Sequence, residues 1–184
     1  MKSIKLAMPI IALIIVYLLA NWFYPYSWAS INKSYSYDQD NVSGKEFLEK
    51  YKVAKEFAKE QDVDKISLAV GDFYNTIDNS FIVELGKQSI SVQELAALET
   101  TLKQNRKSFT KLLADDNVEL IAESRQDLLK VIDTIETTEN WLEDIQHQFL
   151  DRKTLRRSIR NTLVTLGFAS ELTDDFYHRY VESK

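Results

Sequence analysis

The chain has 184 residues, 45% of them hydrophobic, with four glycines, two prolines and no cysteine; this suits one regular globular domain and excludes disulfides, thiolate metal sites and cysteine nucleophiles. The formal net charge is -5, and it is more negative still beyond residue 30, where Lys2 and Lys5 no longer count. An acidic domain repels phosphates, so no nucleic-acid partner is expected.

Lys2 and Lys5 precede an uncharged run that starts at Leu6 and meets no charge until Lys33, with Ile10, Ile11, Leu13, Ile14, Ile15, Val16, Leu18 and Leu19 at its heart. About 20 residues of helix cross about 30 Å of hydrocarbon, so residues 6–26 are expected to span the lipid bilayer as one transmembrane helix. Pro9 falls in the first turns, where a missing donor is tolerated, and Trp22, Phe23, Tyr24, Tyr26 and Trp28 resemble an interfacial aromatic belt. Basic residues on the short leading tail place it in the cytoplasm. Residues 1–26 are therefore read as cytoplasmic tail and anchor in a single-pass cell-membrane protein, with the C-terminal domain outside. The competing reading is a signal peptide cut near Ala29, where Ser27-Trp28-Ala29 supplies small residues at peptidase spacing, giving a secreted protein.

Residues 27–43 are rich in Ser, Asn and Tyr and carry no helical stripe, which predicts a surface linker; Asn32-Lys33-Ser34 and Asn41-Val42-Ser43 match the glycosylation acceptor pattern, most economically by chance. The domain is expected over 44–184. Ser43 with Glu46 has capping-box spacing, and Phe47, Leu48, Tyr51, Ala54 and Ala58 then recur at helical intervals, which predicts a helix over about 44–60. Ile66, Ala69, Val70, Phe73 and Ile77 favour a further helix, although Ile66, Leu68 and Val70 also suit a strand. Over 81–91, β-rich flanks around Gly86-Lys87 suggest a small β-hairpin, and a short helix ended by Gly86 is the alternative.

Ser91 and Glu94 form a second capping box with Ile90 and Leu95 as a hydrophobic staple. Leu95, Leu98, Leu102, Phe109 and Leu112 then mark a seam, broken once by Asn105, which predicts a helix over about 92–114. Asp116 with Glu119 repeats the cap logic for a helix to about 150, whose buried face carries Ile121, Leu128, Ile135, Leu142 and Phe149 beside Val131, Ile132 and Ile145. The short link makes the two helices an antiparallel hairpin. A final pair is expected: Leu155, Ile159, Leu163 and Leu166 ended by Gly167, then a short helix after Thr173 with Phe176, Tyr177, Tyr180 and Val181. The fold class is thus mainly α, an antiparallel hairpin or bundle behind a membrane anchor.

No glycine-rich phosphate loop is present, and His147 and His178 are the two histidines. Asp144 and Asp175 each stand three residues before a histidine, a spacing that resembles the Glu-x-x-His pairs of di-iron bundles. His147, however, lies well around the helix from the Leu142, Ile145 and Phe149 seam, so both histidines are expected in solvent, and no catalytic residue, metal or cofactor is assigned. A chance surface set at Glu143, His147 and Asp151 is the remaining metal reading.

The stretch 115–144 holds ten acidic residues against Arg125 and Lys130, and the next stretch holds Arg152, Lys153, Arg156, Arg157 and Arg160. Those cations either pair with the acidic helix face and favour its dipole or form a docking ridge for an anionic partner, a protein surface or lipid headgroups. The ridge is the candidate partner-binding site. The chain reads as a non-catalytic, extracytoplasmic interaction, scaffold or regulatory subunit with a protein partner. The alternatives are a small-ligand sensing domain and, third, a carboxylate–histidine metal enzyme.

Overall fold

The computed structural model describes residues 2–27, 30, 33–39 and 41–184, with side-chain surroundings from residue 8 onward except at 41–43. The fold is mainly helical with one small antiparallel sheet. The first helix, α1 (Lys2–Phe23), is followed by a strand, β1 (Ser34–Asp38), then α2 (Asn41–Glu60) and α3 (Lys65–Asp78). A single 3-10 turn (Phe81–Val83) leads into β2 (Lys87–Ser91), and α4 (Val92–Ala114), α5 (Ala122–His147) and α6 (Arg152–Glu182) complete the chain.

Among the described residues no helix is long and apolar enough to cross a membrane. The helix expected over 6–26 is shorter at its far end, since α1 stops at Phe23 and Tyr24 to Tyr26 lie beyond it. Trp28, Ala29 and Asn32, which carry the cleavage and first glycosylation motifs, lie outside the described residues.

Residues 34–38 are not linker but strand. Tyr35 and Tyr37 are buried while Ser36 and Asp38 are exposed, the alternation of a sheet with one covered face. β1 pairs antiparallel with β2, Ser34 opposite Ser91 and Asp38 opposite Lys87. Of the β-hairpin expected over 81–91 only one arm forms, β2, and its partner comes from far upstream, while Phe81–Val83 is a 3-10 turn. Gly86 stands at φ +83, a conformation that glycine adopts without steric cost, and turns the chain into β2, with its carbonyl accepting from Gln39 N–H at 3.2 Å.

α3 settles the ambiguity beyond residue 62 in favour of helix: Asp64 caps it through Ile66 and Ser67 N–H at 2.8 and 2.7 Å, and Ile66, Val70, Phe73 and Ile77 face the core. α2 begins at Asn41, so Ser43 stands inside its first turn rather than capping it. α4 has the predicted bounds and the predicted Ser91–Glu94 capping box. Its one polar seam residue, Asn105, is buried and donates to Thr76 Oγ1 at 2.7 Å, tying α4 to α3.

α4 and α5 run antiparallel: Glu99 meets Gln146, Arg106 meets Glu139, and Leu113 O accepts from Arg125. Leu128, Val131, Ile135, Leu142 and Ile145 form the buried face of α5. Both ends of that helix are shorter than expected. The cap expected of Asp116 with Glu119 does not start it, since Ile121 precedes the helix without a side-chain cap and is exposed; Asp115 instead ends α4 and pairs with Lys65 at 2.5 Å, and Phe149 lies past the far end of α5, 61% exposed rather than buried.

The two expected C-terminal helices are one 31-residue helix, α6. Gly167 does not end it, because a lone glycine inside a helix costs only about 1 kcal/mol and the flanking faces are anchored by Leu155, Ile159, Leu166, Ala169 and Phe176, all buried. The absent side chain leaves Phe47 of α2 beside the α6 backbone, 3.7 Å from where a Cβ would stand. The C-terminus is clamped as well: Tyr180 Oη and Lys184 Nζ reach Asp64 Oδ2 at 2.6 and 2.5 Å. Burial pushes the Asp64 carboxyl upward, but these bonds and that from Ser67 N–H outweigh it and hold it at about 2.

Candidate functional site: a cationic elbow beside the apolar helix

The candidate cations gather where α5 turns into α6. α5 closes with Gln148 N–H donating to Asp144 O at 3.0 Å. Asp151 then opens α6, its Oδ1 accepting from Lys153 and Thr154 N–H at 2.8 and 2.9 Å; the Thr154 backbone bond, against slight burial, holds this carboxyl below its usual range.

Arg152 is not part of an exposed ridge. Its guanidinium carbon lies 4.0 Å from the Trp22 ring centre and 5.5 Å from that of Tyr35, so α1 and β1 hold it between two aromatic faces, a cation–π arrangement. Its Nε is buried with no hydrogen-bond partner. Beside it, the Tyr24 and Phe149 rings are 5.7 Å apart, and Tyr26 donates its hydroxyl to Ile90 O at 2.7 Å from a buried position, where desolvation pushes its pKa up. The belt expected at the membrane interface therefore divides: Trp22, Phe23 and Tyr24 remain exposed, whereas Tyr26 is built into the sheet.

Lys153, Arg156, Arg157 and Arg160 are exposed on the first turns of α6. No carboxylate of the described residues lies within ion-pair distance of any of the five cations. The buried carboxylates of α5 are taken by others: Arg106 Nε reaches both oxygens of Glu139 at 2.9 and 3.1 Å, and Asp127 meets Lys130 at 2.8 Å and Arg179 at 3.2 Å. The expected pairing of Arg152–Arg160 with the acidic helix is thus corrected. The dipole argument reverses too, since these cations stand at the start of α6, the positive end of its macrodipole, rather than at the end of α5.

Arg160 also borders an open groove of about 300 Å³ between α2 and α6, walled by Phe47, Lys50, Val164, Phe168 and Glu171. Val164 and Phe168 are each more than half exposed. Sequence reading missed this groove; the available signal was the i, i+4 spacing of Val164 and Phe168 off the core-facing stripe of α6.

His147 is exposed as expected. His178 is not free in solvent: its ring stacks on Phe57 with centres 3.7 Å apart, and its Nε2 lies 3.4 Å from Asp174 rather than near Asp175. Burial raises the Asp174 carboxyl above its usual value, opposed by that histidine. No family model matches the chain, and no curated protein or solved structure matches it.

Proposed function

We propose that the protein is a single-pass membrane-anchored, non-catalytic interaction subunit, with α1 in the bilayer and the helical body displayed on the side away from Lys2 and Lys5. The observation that carries this reading is the apolar surface of α1: Ile10, Ile11, Leu13 and Ile14 are each more than half exposed. Together with Val16 and Leu19, also more than half exposed, they point to every side of a helix at about 100° per residue, and an apolar band of that size in water is a liability that a membrane or a partner removes. With Leu6 and Ala7 before it and Tyr24 to Tyr26 after it, the uncharged run reaches the length a bilayer requires.

The helical body encloses its own core, so its remaining recognition surfaces are the cations of α6 and the groove beside Arg160. A protein segment with apolar side chains toward Phe47, Val164 and Phe168 fits that groove, and an acidic residue on it would meet Arg160.

Alkaline extraction of membranes tests the anchor, since an inserted chain stays in the pellet. A reporter active only outside the cytoplasm, fused after Lys184, tests the orientation. Appearance of a soluble chain starting near Ser30 would favour the secreted reading instead. A photo-crosslinker at Phe168 should trap a defined protein in native membranes, and no product there or from Val164 would remove the groove from consideration.

A further inference from the structure

The elbow lies against the end of the helix assigned to the membrane, and its exposed cations meet no carboxylate of the described residues. We propose that the first two turns of α6 rest on the anionic phosphate headgroups of the bilayer that α1 enters, with Lys153, Arg156 and Arg157 as the contacting groups. This inference rests on the membrane reading of α1.

Continuity is the first argument. Arg152 touches the Trp22 ring at 4.0 Å, and Phe149, 61% exposed, packs against Tyr24, so the elbow begins where the apolar helix ends. At about 1.5 Å per residue, Arg157 is no more than roughly 7.5 Å along α6 from Arg152 at any tilt. The headgroup layer is about 5 to 8 Å deep on each side, and charges act over about 8 to 10 Å near physiological salt.

Charge is the second. Lys153, Arg156 and Arg157 are exposed and meet no carboxylate of the described residues, while the macrodipole adds partial positive charge at the same end. The one acidic side chain of the turn, Asp151, is engaged in capping α6. Exposed aromatics beside unpaired basic residues are the composition of an interfacial contact. An acidic protein surface offers charge complementarity as well, but nothing would place it against Trp22 and Phe149.

The test uses the full chain reconstituted in phosphatidylcholine vesicles containing trace spin-labelled phosphatidylglycerol or phosphatidylcholine. Electron spin resonance reads the motionally restricted lipid at the protein surface. Restricted phosphatidylglycerol should exceed restricted phosphatidylcholine, the excess should shrink in high salt, and Lys153→Gln/Arg156→Gln/Arg157→Gln should reduce it. Each cation near such a surface contributes at most roughly five-fold in preference. Lys2 and Lys5 contribute equally in both proteins, so the difference between wild type and variant reports the elbow alone.

The three side chains make no ion pair among the described residues, so the variant should keep the wild-type melting profile. Equal selectivity in wild type and variant overturns the headgroup contact, as does a variant that loses capture of a protein partner while its lipid selectivity is untouched. Absence of restricted lipid of either kind overturns the membrane reading of α1 and this inference with it.

Discussion

Arg106→Met isolates the electrostatic link between α4 and α5. The Glu139 side chain is 4% exposed, and Arg106 Nε reaches both of its oxygens at 2.9 and 3.1 Å, while Arg106 itself is 33% exposed. Glu136, at 3.8 Å from the same guanidinium, is half exposed and contributes little. Removing the arginine leaves a desolvated carboxylate without its cation, a loss of about 3 to 5 kcal/mol for a buried pair. The partial exposure of Arg106 puts the expected value near the lower end. At about 2 to 4 °C for each kcal/mol in a chain of this size, the melting midpoint should fall by roughly 6 to 12 °C.

Arg106→Met/Glu139→Leu should recover most of this loss, because replacing both partners by apolar groups of similar volume removes the orphaned charge. Urea and thermal denaturation of the full chain in detergent, followed by far-ultraviolet circular dichroism, measure all three proteins. A single-variant cost below about 1 kcal/mol would falsify the burial argument. A double variant no more stable than Arg106→Met would show that the pair contributes geometry rather than compensating a buried charge.

Leu102 and Leu128 are fully buried, so Leu102→Asp or Leu128→Asp should unfold the chain, against a total stability of about 5 to 15 kcal/mol; an unchanged thermal midpoint would refute the assigned core. Asp64 has a folded pKa of about 2 against an ordinary 3.8, a depressed value, so its contribution is present above pH 4 and fades as pH falls toward 2. Asp64→Asn keeps a capping oxygen but removes the charge, and a urea midpoint that falls across that window as steeply as wild type would exclude Asp64 as the cause. Gly167→Ala should leave stability unchanged or raise it by up to about 1 kcal/mol, since the new Cβ would stand at ordinary contact distance, 3.7 Å, from Phe47. A loss in urea denaturation would mean that α2 and α6 approach more closely than that.

Local chemistry was sufficient for α4. Ser91, Glu94 and the leucines from Leu95 to Leu112 lie within one helix, so cap and stripe both follow from spacing. The same held for the buried face of α5 from Leu128 to Ile145, though not for Ile121 and Phe149 at its ends, and for the apolar character of α1. Long-range partners were needed for the rest. Tyr35 and Tyr37 form a strand because β2, about fifty residues away, supplies hydrogen bonds and the core covers one face; the Ser-Tyr-Ser-Tyr-Asp alternation has the strand period, but it is short and sits in a polar stretch that reads locally as linker. Gly167 reads locally as a terminator, but buried residues on both sides keep α6 continuous. The ridge from Arg152 to Arg160 was legible as a cluster of charge. Its electrostatic state was not, because pairing depends on which cation the bundle brings to each carboxylate: Arg106 to Glu139, Arg179 to Asp127, and none of the five. Arg152 met Trp22 and Tyr35 instead. Sequence by itself determined which faces must be covered, since burial of apolar surface follows spacing along a helix; tertiary structure alone decided what covers them, since a contact across the bundle depends on the mutual placement of elements that no local spacing encodes.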